Sequence, residues 1–141
     1  MEHTFSPTVY YSTIGSHPPE LRVASGDTVV TTTIDAGGWD ADGAFVGPRG
    51  NPQTGPIFVE GAEPGDTLRV KFDSIWPNRP HGFCSRRIAP HVLEPGDPNM
   101  VAEAKRLKFR LDFENSSATV EGGPLALADL TVPIQPMMGC F

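Results

Sequence analysis

The sequence has few cysteines and no long hydrophobic run, and each shortage excludes a class of protein. Cys84 and Cys140 are the only two cysteines, too few for a disulfide framework or a paired-cysteine metal motif. No stretch approaches the roughly 18–20 consecutive apolar residues that a membrane-spanning helix needs. The first residues, Met1 to Thr4, lack the basic start and apolar centre of a secretory signal. We therefore expect a soluble cytoplasmic protein.

Basic residues are also scarce. The chain has 11 of them against 17 acidic residues, for a net charge of −6, and apart from Arg86-Arg87 and Lys105-Arg106 they are scattered. Because binding to phosphates needs a clustered basic face, nucleic acid is a poor candidate partner. The 141 residues fit a single domain, 1–141, that is long enough to bury a core.

Glycine and proline are abundant, with 15 of each, and they separate short runs rich in Val, Ile, Thr and Phe. Several runs alternate apolar with polar residues, as Leu68 to Phe72 does, which is typical of a sheet with one face in water. The pattern predicts an all-β fold, a β-sandwich or jelly roll. At most one short helix is expected, at Pro98–Arg106, where Asp97 can cap the first turn. The predicted strands are Thr8–Ser12, Leu21–Val23, Thr28–Ile34, Ile57–Glu60, Thr67–Ile75, Leu107–Phe113, Ala118–Val120 and Leu130–Ile134.

Two stretches of the chain resemble each other. "VASGDTVVTTTID" at residues 23–35 and "AEPGDTLRVKFDSI" at 62–75 share Gly-Asp-Thr ahead of an alternating run. In each, glycine permits a tight turn, the aspartate can bond the backbone two residues on, and β-branched residues begin a strand. An internal duplication and two independent turns both explain the likeness.

A carboxylate closes the apolar run Ile57–Val59. On a strand, Glu60 shares a face with Phe58 while Ile57 and Val59 point the other way, so we expect both faces to be at least partly buried. A carboxylate in that position must be paired, bound to a metal or raised in pKa. Glu60 is therefore a candidate catalytic residue. The alternative is a salt-bridged or solvated carboxylate at the rim of the sheet.

Asp35 presents a similar choice, because it follows the run Thr28–Ile34 and precedes the flexible "AGGWDADG". A strand-end acid beside a glycine loop suits a functional site, but capping a turn is the commoner use. The histidines, at positions 3, 17, 81 and 91, have no zinc-motif spacing, so a metal site would have to be assembled from distant segments. Taken singly, each is typical of a surface or hydrogen-bonded histidine. Cys140 is interpreted as a packing residue.

The run "NPQTGPIFVEGAEPGDTLRV", residues 51–70, closely resembles the signature of the acetamidase/formamidase family. Members of that family are metal-dependent amidases that hydrolyse small amides to ammonia and a carboxylate. "PPELRVASGDTVVTTTIDAGG" upstream and "LTVPIQPMMGCF" at the end extend the resemblance over most of the chain. The family's second half also carries a "GGN-D" loop and a "GD-H…GDGE" segment, and neither occurs here.

The resemblance implies an amidase for small aliphatic amides such as formamide or acetamide, with a divalent metal, zinc being the first expectation. It implies a catalytic role for Glu60 and metal-binding roles for Asp35 and His81. The chain then corresponds to the N-terminal half of a split or processed enzyme, inactive until a second chain supplies the C-terminal half in a homo- or hetero-oligomer. Two other classes stay open: a non-catalytic β-sandwich binding or structural protein, and a lectin-like jelly roll.

The last segment, Thr131 to Phe141, is unusually apolar for a chain end, which is ordinarily polar and frayed. We expect it to form a core strand and turn. Its apolar side chains, Val132, Ile134, Met137 and Met138, are predicted to face another chain or the missing half.

Overall fold

A computed structural model describes residues 1–85, 94–96, 106–122, 127 and 129–137. Within these residues the regular elements are β-strands and none is an α-helix, so the predicted all-β class is confirmed. The helix expected at Pro98–Arg106 lies outside the described residues, except for Arg106, which begins a strand. The strands are β1 (Glu2–Phe5), β2 (Tyr10–Tyr11), β3 (Leu21–Val23), β4 (Thr28–Thr31), β5 (Gln53–Thr54), β6 (Ile57–Val59), β7 (His81–Ser85), β8 (Arg106–Asp112), β9 (Ser117–Glu121) and β10 (Thr131–Pro133).

Most of the predicted strands are present, although several are shorter than predicted. The strand predicted at Leu21–Val23 is found with the same bounds, and that predicted at Ile57–Glu60 ends one residue earlier. The strand predicted at Thr67–Ile75 is absent: these residues belong to no strand. Alternation of apolar and polar side chains is typical of a strand. A strand also needs a neighbouring strand that pairs with its backbone N–H and C=O groups. That second condition cannot be read from local sequence.

The chain divides into two compact units, and the described part of the first is Met1–Asn78. Its six strands form three two-stranded sheets: β1 with β4 in parallel, β2 with β5 antiparallel, and β3 with β6 in parallel. In the third sheet Arg22 lies opposite Phe58 and Val23 opposite Val59. This register places the end of β6, and therefore Glu60, beside β3.

The second unit is Arg79–Met137. Its four strands form one antiparallel sheet in the order β10-β9-β8-β7. Along β8 and β9 the side chains alternate between more and less exposed positions, and Ala118 and Val120 are buried on the same face of β9. This is the period of two expected of an antiparallel sheet that is covered on one face.

Few apolar side chains are fully buried. Among the described residues the buried hydrophobic ones are Val23 in the first unit and Ala118 and Val120 in the second, while many large apolar side chains are exposed. Near the chain end Val132 and Ile134 are half-buried and Met137 is 79% exposed; Met138 to Phe141 lie outside the described residues. An interface for this segment therefore stays a prediction. No helix in the described ranges has the length and hydropathy to span a membrane.

Candidate functional site

Glu60 lies immediately after β6, beside the end of β3. Its backbone N–H donates to the carbonyl of Val23 at 2.7 Å, which continues the pairing of the two strands by one residue. The next residue, Gly61, has a φ of 79°, a backbone conformation that favours glycine and turns the chain away from the sheet. The carboxylate of Glu60 is thus held at the end of a strand, as the sequence predicted, and remains about 50% exposed.

The partner of this carboxylate is Arg22, across the sheet on β3. Its Nε donates to Oε1 of Glu60 at 2.5 Å and its Nη2 to Oε2 at 3.3 Å. The guanidinium also lies 4.1 Å from the centre of the Phe58 ring, within the range of a cation–π contact. Hydrogen bonding from Arg22 lowers the pKa of Glu60, and the same bond raises the pKa of Arg22. Glu60 is therefore held in its ionised form.

The burial around Glu60 is only partial. Ile57 and Phe58 are each 38% exposed, and the ring of Phe58 lies under the guanidinium of Arg22. A carboxylate raised in pKa by burial was one possible outcome, and the structure instead has a paired carboxylate with a lowered pKa. This arrangement is the ion pair that the rim interpretation of Glu60 expects. It leaves a catalytic role for Glu60 as a prediction.

Asp35 organises the loop that follows β4. Its Oδ1 accepts the backbone N–H of Gly37 at 2.8 Å and that of Trp39 at 3.0 Å. Its own N–H donates to the carbonyl of Trp39, and its carbonyl accepts the N–H of Gly38, both at 2.9 Å. These bonds cap a turn, the commoner use of such a residue. A carboxylate fixed by two N–H groups is also rigidly placed, which a ligand of a metal or its water requires.

The same construction occurs again at Asp40, and sequence reasoning missed it. The carboxylate of Asp40 accepts the N–H groups of Asp42 and Ala44 at 3.0 and 2.8 Å. The backbone bonds from Asp40 to Ala44 and from Gly43 to Asp40 repeat those made around Asp35. The signal was available as the paired five-residue stretches "DAGGW" and "DADGA". Each places an aspartate three residues before a glycine of positive φ, Gly38 at 87° and Gly43 at 80°.

The loop around Asp35 is held closely against the residues after it. A Cβ atom added to Gly38 would lie 2.3 Å from the carbonyl oxygen of Gly47, so only glycine fits there. Val46 and Gly47 both donate their N–H groups to the carbonyl of Gly38. The rings of Trp39 and Phe45 also meet edge to face, 5.6 Å apart. Asp35 therefore lies in a well-defined loop rather than in a flexible glycine-rich segment.

His81 is the first residue of β7, exposed, and paired in register with Arg110. It belongs to the second unit, whereas Asp35 and Glu60 belong to the first. Across the ranges that the structure describes, no three His, Cys, Asp or Glu side chains gather where they could hold one metal ion. The described part of this chain therefore does not by itself provide a metal site for Asp35 and His81 to complete.

A second cluster, around Asp27, was also missed. Its carboxylate accepts the amino group of Met1 at 2.6 Å, Nε2 of His3 at 2.8 Å and the N–H of Ala24 at 2.9 Å. The bonds from the Met1 amine, from Ala24 and from His3 together hold the pKa of Asp27 far below its ordinary value. His3 is thus hydrogen-bonded, as expected of a single histidine. Met1 precedes β1 and His3 lies in it. Both reach Asp27 because β1 pairs with β4, which begins at the residue after Asp27.

His17 is likewise hydrogen-bonded, to the hydroxyl and the carbonyl of Thr13 at 3.1 and 3.0 Å. Its ring stacks on Tyr11, with centroids 3.8 Å apart and planes 8° from parallel. The His17 ring therefore bonds and packs against residues close to it in sequence. This agrees with the interpretation of the histidines as surface or hydrogen-bonded residues.

Comparison with family models, curated proteins and solved structures finds no match to this chain. The resemblance to acetamidases and formamidases therefore depends on the three stretches of sequence that carry it.

Proposed function

We propose that this chain is the N-terminal part of a split or processed metal-dependent amidase, which hydrolyses small aliphatic amides such as formamide or acetamide to ammonia and a carboxylate. A second chain would carry the C-terminal half. The observation that carries the proposal is the run Asn51–Val70, which resembles the amidase signature and holds Glu60 at the end of β6, between a strand and a glycine turn. The exposed apolar side chains of the first unit also fit a chain that is completed by another surface.

Amide hydrolysis needs an activated water and a proton donor for the leaving nitrogen, since the carbonyl is deactivated by resonance. Glu60 is the candidate for moving that proton. Arg22 keeps it ionised, which a base requires, but a lowered pKa also weakens a base at neutral pH. Both side chains are about half exposed. In the proposed enzyme, substrate or the second chain therefore displaces Arg22 from Glu60 before the proton moves.

A divalent metal, with zinc the first expectation, belongs to this proposal as a property of the complete assembly. Asp35 and His81 are its proposed ligands from this chain, but the described residues do not supply a third. Oδ1 of Asp35 already accepts two backbone N–H groups. The remaining ligands would have to come from the second chain, to which the resemblance assigns the further acids and a histidine.

The second candidate function is a non-catalytic binding or structural protein on the same β-rich scaffold. The ion pair between Arg22 and Glu60 favours it, because the two side chains satisfy each other without substrate. On this alternative Glu60 stabilises the β3–β6 sheet and has no catalytic role.

The test compares Glu60→Gln with Glu63→Gln in the assembly purified with every chain that accompanies it, its composition established by intact mass and metal analysis. Glu63 is the matched control, three residues further along the same loop. We expect Glu60→Gln to lower acetamide and formamide hydrolysis by about 100-fold or more, the usual scale for loss of a general base, and Glu63→Gln to stay within a few-fold of the parent. Parent-like turnover in Glu60→Gln would remove Glu60 from catalysis. A metal-loaded assembly that hydrolyses neither amide would favour the non-catalytic alternative.

A further inference from the structure

One face of the sheet in the second unit carries a basic row, made of Arg106, Lys108 and Arg110. These three residues occupy alternate positions of β8, and all are exposed. Side chains at alternate positions of a strand point to the same face, roughly 7 Å apart. The residues between them, Leu107 and Phe109, are half-buried and belong to the other face. The basic row therefore lies on the solvent face of the sheet.

The neighbouring strand adds an aromatic ring to this face. Phe83 of β7 is paired in register with Lys108 and is 36% exposed. The guanidinium of Arg106 lies 4.5 Å from the centre of the Phe83 ring, and that of Arg79 lies 5.8 Å from it. Both distances are within the range of a cation–π contact. An exposed ring thus lies among three cationic side chains.

Among the described residues, this face has more basic than acidic side chains. Asp112 ends the basic row, and its carboxylate accepts the backbone N–H and the side-chain amide of Asn115. Glu121 of β9 lies 3.7 Å from Arg110, between Oε1 and Nε. Both side chains of that pair are at least half exposed, and such surface pairs contribute little to stability. Arg110 can therefore exchange Glu121 for another anion.

We propose that this face binds single-stranded nucleic acid. Proteins that bind single strands combine cationic side chains along the phosphate backbone with exposed rings on which the bases stack. The basic row contacts the phosphates, and Phe83 stacks on a base. Thr119 is paired with Arg110 and with Thr131 across the same face, and the two threonine hydroxyls are 2.9 Å apart. Hydroxyl groups in such positions bond to phosphate and sugar.

The scatter of the basic residues along the sequence argues against nucleic acid, but the sheet brings several of them together. Alternate positions of β8 and the register with β7 produce a cluster that the linear order does not show. The net charge of −6 also lies outside this part of the chain, because residues 79–141 contain seven basic and seven acidic residues. An acidic peptide would match the basic row but has no planar base to stack on Phe83. The ring therefore favours nucleic acid.

The test measures binding of the whole chain to a fluorescent oligothymidylate of about 12 nucleotides, within the site sizes of single-strand-binding folds, by fluorescence anisotropy. Phe83→Ala should weaken binding by about 5-fold or more, since it removes a stacked base contact. The matched control is Phe113→Ala, one residue after β8, where the ring is 40% exposed. It should bind as the parent does.

The salt dependence of binding tests the basic row separately. Lys108→Ala should weaken binding and reduce the slope of log affinity against log salt concentration by about 0.7, the value for one phosphate contact with a single strand. The matched control is Arg69→Ala, which removes an exposed cation of the first unit and should change neither quantity. Circular dichroism confirms that all four variants are folded.

A parent that does not bind the oligonucleotide in about 50 mM salt overturns the proposal. Competition by polyglutamate as effective as that by unlabelled oligothymidylate also overturns it, and would assign the face to acidic peptides. So does a loss of binding in Phe113→Ala or Arg69→Ala as large as that in Phe83→Ala or Lys108→Ala. None of these outcomes depends on amidase activity.

Discussion

The two Gly-Asp-Thr stretches form the same turn. In the first, the N–H of Asp27 donates to the carbonyl of Ala24 at 3.1 Å, and Oδ2 of Asp27 accepts the N–H of Ala24 at 2.9 Å. In the second, Asp66 and Glu63 make the same two bonds at 3.1 and 3.0 Å. The aspartate bonds the backbone three residues before it, rather than two residues after it as expected from the sequence. A turn closed by residues so near in sequence is determined locally.

The chain beyond the turn differs between the two stretches. After the first turn, Thr28 to Thr31 form β4, which pairs in parallel with β1, and the start of the chain also brings His3 and the Met1 amine to Asp27. After the second, the chain enters the segment Thr67–Trp76, which is in no strand. In the described part of the chain the carboxylate of Asp66 accepts only the N–H of Glu63. The turn therefore depends on its own residues, whereas the strand depends on a neighbour.

Replacing each aspartate by asparagine should separate these two contributions, with the largest effect expected at Asp27. An asparagine keeps an oxygen that can accept the turn N–H but loses the negative charge. Asp27→Asn therefore loses the ion pair with the Met1 amine and the charged partner of His3. Asp66→Asn loses neither, and should stay within about 0.5 kcal/mol of the parent, as surface substitutions usually do. Thermal unfolding of both variants measures the difference.

If Asp66→Asn lowered the melting temperature as much as Asp27→Asn, the contacts from Met1 and His3 would not be the source of the difference. The control is Asp129→Asn, a change of the same chemistry at a residue of the second unit. A loss of stability there of the size seen at Asp27 would show that the substitution itself, rather than its place, is harmful.

The same distinction explains what sequence could predict. The turn at Asp27 depends on residues close in sequence and could be predicted, although its hydrogen bond is made to Ala24. The bounds of β3 and the strand-end position of Glu60 also agree with the prediction, although the strand that pairs with β3 could not be predicted. The partner of Glu60 could not, because Arg22 lies 38 residues away and meets it only through the parallel register of β3 and β6. The paired loops at Asp35 and Asp40 are local and were open to prediction from their repeated spacing.

Acid should destabilise the first turn through Asp27. The pKa of Asp27 is lowered in the folded chain, first by the Met1 amine and then by Ala24 and His3. A group of lowered pKa stabilises the fold fully above its unfolded pKa, about 3.9 for aspartate, and loses that contribution as the pH falls toward the folded value. The parent should therefore lose stability below about pH 4 more steeply than Asp27→Asn does.

The measurement is the free energy of unfolding in urea at a series of pH values, for the parent and Asp27→Asn. Other carboxylates, including Glu60 and Asp112, also have lowered pKa values and contribute to acid sensitivity in both proteins. The difference between the two curves isolates Asp27. Parallel curves from neutral pH to the lowest pH at which both fold would contradict the assignment.

The smallest difference between the two regions is expected at the two turn glycines, where both should lose similar stability. Gly26 and Gly65 have φ values of 88° and 101°, and a Cβ added to either would meet nothing within 4 Å. Alanine at either position therefore brings the strain of a positive φ without a clash, about 1–2 kcal/mol. Gly26→Ala and Gly65→Ala should lower the free energy of unfolding by similar amounts, measured in urea on the same chain. Gly38→Ala is the contrasting control, because its Cβ would meet the carbonyl oxygen of Gly47 and should cost clearly more. A large loss at Gly26 with none at Gly65 would mean that even the turn depends on the strand paired behind it, and that the two turns are alike in geometry but not in what stabilises them.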